Sequence, residues 1–444
     1  METNNQSITI SEVLQFVKEN DVRFIKLTFC DLLGRQKNIS ITPDRLPIAF
    51  NEGISFDASS IRGFSDITQS DLFLFPDPTT LAVLPWRPQQ GRVARFYCNV
   101  KYADGTPFEC DSRTILQNAS DRLAKAGYVC RIGSECEFYL FKTDLNGEPT
   151  DIPFDNGGYL DVPPLDKGEN VRREICFTLE DMGLKLEASH HEQGPGQNEI
   201  DFKFSDVVES ADNLLTFKTA VKAIAARNGL FASFMPKPVD EKSGNGMHIN
   251  ISLSKNGNNV FTEDNSGHNK ISDSFIAGVL KKTREITLFL NPIANSYERL
   301  GKFEAPKYVS WSKNNRSQLI RIPAATGERV RMELRSPDPA ANPYLAFALI
   351  MSAGLYGIEN NLELPNAVDK NIYSLSNEEK SKLDKLPCNM NEAIELVESS
   401  EFAKSVIGNE AFTKYIAYKK QEAEKFENTK DKKEFYKENY FYVI

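Results

Sequence analysis

No apolar run in this chain approaches the ~18–20 residues that a bilayer-spanning helix needs. The opening METNNQSITI carries no basic segment followed by an apolar one, so neither membrane insertion nor secretion is expected. The seven cysteines (30, 98, 110, 130, 136, 176, 388) are odd in number, scattered and free of any C-x-x-C pair. That usage fits buried, reduced thiols in a cytoplasm. Basic clustering is also missing: the net charge is −9, which argues against nucleic acid as a direct partner. An anionic substrate would have to rely on local arginines. Histidine is scarce, with four in the chain, and there is no repeat or low-complexity linker.

What is present is ordinary for a globular protein: 40% hydrophobic and 26% charged residues over 444 positions. That length exceeds the roughly 250–300 residues at which one core stops growing, so two unequal domains are expected. Thr9-Ile10-Ser11-Glu12 has the spacing of a capping box ahead of a short helix. Val22–Phe29 alternates as a half-buried strand and turns at Asp31–Gly34 toward Gln36–Ile41, with further β signal at Leu81–Leu84 and Val93–Val100. A small sheet with one helix over residues 1–105 is the first domain expected, and residues 106–444 the second. In the second, Asp111 caps a helix ended by Gly127, and helices are expected over Gly168–Met182, Ser210–Asn228, Ser274–Leu290 and Asn342–Asn360. The Lys/Glu-rich run from Tyr418 to Asn439 reads as a solvated helical face.

The chemistry gathers in acidic stretches. Glu192 and Glu199 flank a Gly-Pro-Gly turn in His190–Glu199, expected as a loop after a strand Leu184–Ala188, so the backbone can fold both carboxylates toward one point. In Glu135-Cys136-Glu137 the strand period of two places both glutamates on one face. His248 enters a strand after Ser243-Gly244-Asn245-Gly246, and Val330–Leu334 followed by Arg335 puts Arg331, Glu333 and Arg335 on one face. Like charges side by side destabilise a strand unless a cation sits between them. Five carboxylates and one imidazole in such places therefore point to a metal cluster. Oxygen-dominated ligation favours Mg²⁺ or Mn²⁺, and the arginines favour a polyphosphate ligand. Asp57, in the polar loop Ser55–Phe64, suits either an Asx-turn or catalysis, and His268 sits in a polar turn without an assigned role.

Over most of its length the chain resembles glutamine synthetases of the bacterial class I type. The motifs are Phe56-Asp57-Ala58-Ser59-Ser60, Gly157-Gly158-Tyr159, His190 through Glu199, Gly246-Met247-His248, Asn295-Ser296-Tyr297, Phe303-Glu304-Ala305-Pro306, Asn315-Arg316-Ser317 and Arg335 through Tyr344, in order. The resemblance implies an α+β fold: a small N-terminal β-grasp domain, then a large catalytic domain with a curved antiparallel sheet flanked by helices. It implies two metal sites per active site, one from Glu137, Glu192 and Glu199, the other from Glu135, His248 and Glu333. Arg299 and Arg335 would grip glutamate with Ser243 and Gly244 nearby. Arg316 and Arg321 would meet the phosphates of ATP, and Glu187, Phe204, Asn250, Ser252 and Arg331 would line the nucleotide pocket. Asp57 from a neighbouring subunit would take a proton from ammonium, Tyr159 would shape the ammonium pocket and Glu304 would close over the intermediate. A homo-oligomer of twelve subunits in a double ring is implied, with active sites between subunits.

The chain departs from the family pattern in places. Ser243 stands where an Asn that helps orient glutamate is usual, the Arg299–Glu304 loop is one residue shorter, and Ala58 replaces a common Gly. The C-terminal segment lacks the familiar Trp. Tyr373 lies where longer relatives carry a nucleotidylated tyrosine, and no such modification is expected in this short form. Two other readings are a ligase joining glutamate to a polyamine or other amine, and a catalytically silent scaffold or nitrogen sensor that binds a regulatory protein. Asp57, Tyr159 and Glu304 together favour free ammonium. All six metal ligands are present, which disfavours silence and leaves sensing as a second role.

Overall fold

The computed structural model describes residues 8–64, 70–87, 89–262 and 269–444; His268 lies outside them. Thr9 Oγ1 accepts from the Glu12 amide while Glu12 reaches back to the Thr9 amide, so the helix Ile10–Glu19 begins in the capping box its spacing predicts. Val13 and Val17, one turn apart, bury against a six-stranded sheet. Its strands are β1 (Val22–Cys30), β2 (Gln36–Ile41), β3 (Ile54–Asp57), β4 (Asp71–Pro76), β5 (Ala82–Val83) and β6 (Arg92–Lys101). Their order is β2-β1-β6-β4-β3, with β5 also on β6. The β1–β6 pair is parallel and its neighbours are antiparallel. The loop expected over Ser55–Phe64 therefore starts inside β3 and continues as a short turn of helix capped by Asp57.

The β1–β2 turn docks this sheet onto the rest of the chain. Gly34 has φ +86°, and a Cβ there would sit 3.0 Å from the Asn342 Cα. Asn342 Nδ2 donates to the Asp31 carbonyl at 3.2 Å, while its own oxygen caps the helix Pro343–Glu359 by accepting from the Tyr344 amide. That helix is apolar on nearly all sides and buried along most of its length. It packs so closely on the helix Lys270–Leu290 that a Cβ on Gly357 would lie 1.9 Å from the Ser274 carbonyl oxygen.

The second sheet has eleven strands: β7 (Val129–Thr143), β8 (Pro149–Pro153), β9 (Leu186–His191), β10 (Gln197–Phe202), β11 (Ser205–Asp206), β12 (Leu230–Ser233), β13 (Met247–Lys255), β14 (Asn258–Asn259), β15 (Trp311–Lys313), β16 (Ile320–Ile322) and β17 (Met332–Leu334). The main order is β15-β16-β17-β13-β7-β10-β9, curled and flanked by helices, so the fold is α+β. Three expectations need correction. The strand before the Gly-Pro-Gly turn runs on to His191, because His190 and His191 pair with Glu199 and Asn198 in a hairpin. Within Asn295–Pro306, whose sequence reads as a loop, Ser296–Arg299 is a short helix. In the run Tyr418–Asn439, Lys419 is only 4% exposed, so that stretch is more than a solvated face.

A buried ionic knot joins the small sheet to the helices. Arg113 donates to Asp77 Oδ2 (2.8 Å) and to both oxygens of Asp212 (3.2 and 3.0 Å), and Tyr344 OH donates to Asp212 Oδ1 (2.5 Å). Removing one partner leaves the other charge buried and unpaired. Asp212→Ala should therefore lose about 3–5 kcal/mol of stability, read as a lowered urea midpoint; a midpoint unchanged from the wild type would show the knot to be dispensable.

Candidate active site

Side chains directly opposite on paired strands share a face, so the register around β7 decides what meets what. One row runs His190 (β9), Glu199 (β10), Glu137 (β7). The next runs Asp201 (β10), Glu135 (β7), His248 (β13). A third runs Gly133 (β7), Asn250 (β13), Glu333 (β17), Arg321 (β16). Three adjacent rows thus present acids and imidazoles on one face, rimmed by arginines. Gly133 leaves room in the third row, where the Phe204 backbone and Cβ would lie 3.4 Å from an added Cβ.

Hydrogen bonds fix the rows. His190 Nε2 lies 3.5 Å from Glu199 Oε1, and its Nδ1 lies 3.8 Å from Glu192 Oε1. Glu137 Oε2 accepts from Gln197 Nε2 (2.9 Å) and from the Gly246 amide (2.8 Å). Ser243 Oγ donates to Gln197 Oε1 (2.6 Å), so the residue that departs from the family pattern here orients the glutamine that holds Glu137. His248 Nδ1 is 3.4 Å from Glu135 Oε2 and 3.7 Å from Glu333 Oε1. Glu333 is clamped by Arg321 Nε and Arg335 Nη1, both at 2.6 Å. Asn250 donates to Glu135 (2.8 Å) and accepts from Arg331 Nε (2.9 Å).

The ligand atoms of Glu135, Glu199 and His248 lie within 4.8 Å of one another, as do those of His190, Glu192 and Glu199. These groupings differ from the two expected sets. Glu199 is shared, His190 joins, and Glu137 and Glu333 have oxygens engaged by Gln197, Gly246 and the two arginines. Asp201 escaped the sequence reading, although Glu199-Ile200-Asp201 obeys the same two-residue alternation as Glu135-Cys136-Glu137. A third group, Asp155, Asp166 and His191, also lies within that distance, but it is a structural knot. Asp155 accepts from three backbone amides and lies 2.9 Å from His191 Nε2, while Asp166 holds Arg172.

The acids of the first two rows crowd each other out of water. Burial first, then Glu192, raises Glu137 to about 8, and burial with Glu135 raises Asp201 to about 7. Glu199 is pushed far up by burial and then by Asp201, Glu137, Glu135 and Glu192, and Glu192 is raised as well, chiefly by burial. Glu135 goes the other way: burial opposes ionisation, but hydrogen bonds from His248 and Asn250 and the nearby Arg321 outweigh it. Burial and then Arg335 lower His248, which keeps its imidazole neutral and able to ligate. Asp201 Oδ1 and His190 Nδ1 are buried with no hydrogen-bond partner. A site with surplus negative charge, a neutral imidazole and orphaned donor atoms fits a divalent cation.

Around this floor stand the remaining residues. Arg335 keeps its buried Nε without a partner, and its Nη2 is 3.8 Å from Glu304 Oε2; Gln193 Nε2 donates to Glu304 Oε1 at 3.3 Å. Arg299 spends its guanidinium on the carbonyls of Arg335, Ser336 and Pro337. Tyr159 is half-exposed and meets His190 edge-on, ring centroids 5.6 Å apart. Phe204 lies near Arg131, with Glu187 exposed on β9 and Ser252 half-buried on β13. Arg316 is exposed beside the cluster, where its charge acts on Glu192. Gly244 is tight, since a Cβ there would lie 2.4 Å from the Pro236 carbonyl. Asp57 stands apart: among the described residues its side chain bonds to Ser59 and Ser60 of its own loop, which favour its ionised form.

Comparison with known proteins decides the family. Residues 109–438 match the glutamine synthetase catalytic domain and residues 21–103 the glutamine synthetase beta-grasp domain. The chain belongs to the glutamine synthetase family. Glutamine synthetases of Clostridium saccharobutylicum and Methanosarcina mazei are each 47% identical to it, over 93% and 94% of this chain and 95% of each relative. That of Staphylococcus epidermidis is 45% identical over 93% of this chain and 94% of the relative. Two solved structures, a GmaS/ADP complex and apo GmaS without ligand, superpose with TM-scores of 0.86 and 0.85 at 29% and 30% identity. They cover 97% and 95% of this chain and 99% and 98% of theirs. The chain is thus an ATP-dependent glutamate–ammonia ligase of a family that uses divalent metals, and the acid–imidazole cluster is the candidate place for them. No described helix is long and apolar enough to cross a membrane.

The raised acids make stability depend on pH with a definite sign. Glu137, raised from 4.5 to about 8, and Asp201, raised from 3.8 to about 7, hold protons in the folded chain that the unfolded chain has released. Their contribution is full below the unfolded values and is lost as pH rises through the folded ones. The melting temperature of the metal-free protein should therefore fall between about pH 5 and 8, and saturating Mg²⁺ should flatten that fall. A metal-free melting temperature that rises steadily across the window would contradict the assignment.

Proposed function

We propose that this chain makes glutamine in two steps on the face just described, and that the three aligned rows of acids, imidazoles and arginines are the observation that carries this. Glu135, Glu137, Glu192, Glu199, His248 and Glu333 hold at least two Mg²⁺ or Mn²⁺ ions, with Asp201 and His190 beside them. Bound there, the ions neutralise the carboxylates and the phosphate charge of ATP. Arg335, with its unpartnered Nε, takes a glutamate carboxylate beside Ser243 and Gly244. Arg299 acts on glutamate chiefly by fixing the backbone of residues 335–337. Arg316 and the free nitrogens of Arg321 meet the phosphates, while Glu187, Phe204, Asn250, Ser252 and Arg331 line the nucleotide pocket.

The γ-carboxylate oxygen of glutamate attacks the γ-phosphorus of ATP and ADP leaves, giving γ-glutamyl phosphate. Ammonium, in a pocket bounded by Tyr159, gives a proton to the Asp57 carboxylate. The ammonia attacks the acyl carbon, and phosphate leaves as glutamine forms. Glu304 lies in a loop suited to closing over the intermediate. Phe303, next to it, sits at φ +53°, a conformation strained for a bulky residue, and is held there by Tyr373 OH on its carbonyl and by Lys237 over its ring. Asp57 is exposed, and among the described residues its side chain bonds to Ser59 and Ser60 of its own loop, which supports a site completed by a neighbouring subunit in a double ring of twelve. Division of the chain at residues 105 and 106 belongs to the same proposal, as does a cytoplasmic setting.

Phosphate release from ATP and glutamate, with ammonium or a panel of amines, tests this reading. Release should require ammonium for full rate, and release that ignores ammonium but follows a polyamine would overturn it. Asp57→Asn should lower the ammonium-dependent rate by about 10²–10⁴-fold. Glu304→Ala should release more phosphate than glutamine; one phosphate per glutamine in that variant would remove Glu304 from closure.

A further inference from the structure

Away from the active face, a cavity of about 490 Å³ lies between the β1–β2 turn, the helix Val207–Arg227 and the C-terminal helices. Its volume is in the roughly 300–1,000 Å³ range of small-molecule sites. In a chain of net charge −9, the lining is strongly basic: Arg35, Lys37, Arg62, Lys218, Lys222 and Lys425 all reach it. Among the described residues none of the six forms an ion pair. Lys218 donates to the Pro339 carbonyl (2.6 Å), Lys222 to the Val443 carbonyl (3.3 Å) and Arg62 to Tyr418 OH (2.7 Å). The acidic side chain in the wall, Glu422, is already shared by Lys419 (2.9 Å) and Tyr440 OH (2.7 Å). Burial lowers Lys218 although Asp338 favours its charge, and burial with Lys218 and Arg35 lowers Lys222 to about 7; both ammonium groups also lie over the Phe234 ring, 5.4 and 5.9 Å from its centroid.

Six cations around one cavity repel each other, and Asp338 beside Lys218 and Asp31 beside Arg35 and Lys37 offset that from outside the wall, so the cavity itself favours an anion. We propose that this cavity is an effector site for a compact anion of two or more charges, a dicarboxylate or a phosphate-bearing metabolite. Its walls reach the segments that carry active-site residues. Pro339 and Ala340 follow Arg335, Pro292 and Ile293 precede the Ser296–Arg299 helix, and Arg62 follows Asp57. An occupant drawing in Lys218 and the β1–β2 turn acts on the Pro339–Asn342 stretch from both sides, since Asn342 is bonded to Asp31. The coupling part of this inference rests on Arg335 as a glutamate-binding residue; the binding part does not.

Calorimetric titration of the whole enzyme, saturated with ADP and Mg²⁺, with succinate and separately with inorganic phosphate tests it and distinguishes the two sources. At least one anion should bind, and Arg35→Gln and Lys222→Gln should each weaken it about tenfold or more, with ADP affinity unchanged. Lack of binding by either anion, or equal affinity in the wild type and Arg35→Gln, a substitution on the half-exposed turn, would overturn the site. The bound anion should shift the KM for glutamate about fivefold or more in the wild type and not in Arg35→Gln. Binding without any shift would overturn the effector role while leaving the assignment of Arg335 intact.

Discussion

Pairing of β7 with β10 on one side and β13 on the other sets Glu137 opposite Glu199 and Glu135 opposite Asp201 and His248. Like charges placed directly opposite destabilise a sheet, and burial multiplies the cost. The chain tolerates them because the flanking rows supply donors: Gln197 and Gly246 to Glu137, Asn250 to Glu135, and two arginines to Glu333. Burial and neighbouring carboxylates dominate at Glu199 and Asp201, which keep a raised affinity for protons. Under the proposal above, a divalent cation would displace those protons and leave the carboxylates as its ligands, with the arginine rim open to a nucleotide.

Second-rank contacts hold that geometry. Arg299 clamps the backbone from Arg335 to Pro337, and Asn342 joins the same segment to the small sheet while capping the most buried helix. The Arg113–Asp212–Tyr344 knot ties that sheet to two further helices. The segment bearing Arg335 is thus held from the small sheet, the Arg299 helix and the basic cavity together. A change at any of the three has a physical route to Arg335.

Much of this was legible in the sequence, and the gaps have physical causes. The period of two put Glu135 and Glu137 on one face, capping chemistry placed the helices at Thr9 and Asp111, and an apolar run placed the one from Asn342. The motif resemblance supplied the arginines. Asp201 obeyed the same alternation and was passed over because a lone strand does not show which acids another strand will face. His190 faces Glu199 through hairpin register, a long-range property that the linear motif does not show. Lys419 read as solvated, yet a helix face is buried or open according to what packs on it, and here Lys419 is held down on Glu422 and the Tyr415 ring in the wall of the basic cavity. Arg299 was expected on substrate; its partners are backbone carbonyls, which leave no mark in the sequence.

The central claim is that the acidic rows hold protons which a divalent cation displaces. Titration of the metal-free enzyme with Mg²⁺ at pH 7, in two buffers of different ionisation enthalpy, counts those protons directly. The account predicts release of about one proton or more per chain, since Glu137 and Asp201 ionise near that pH. Tight Mg²⁺ binding with no proton release would contradict it.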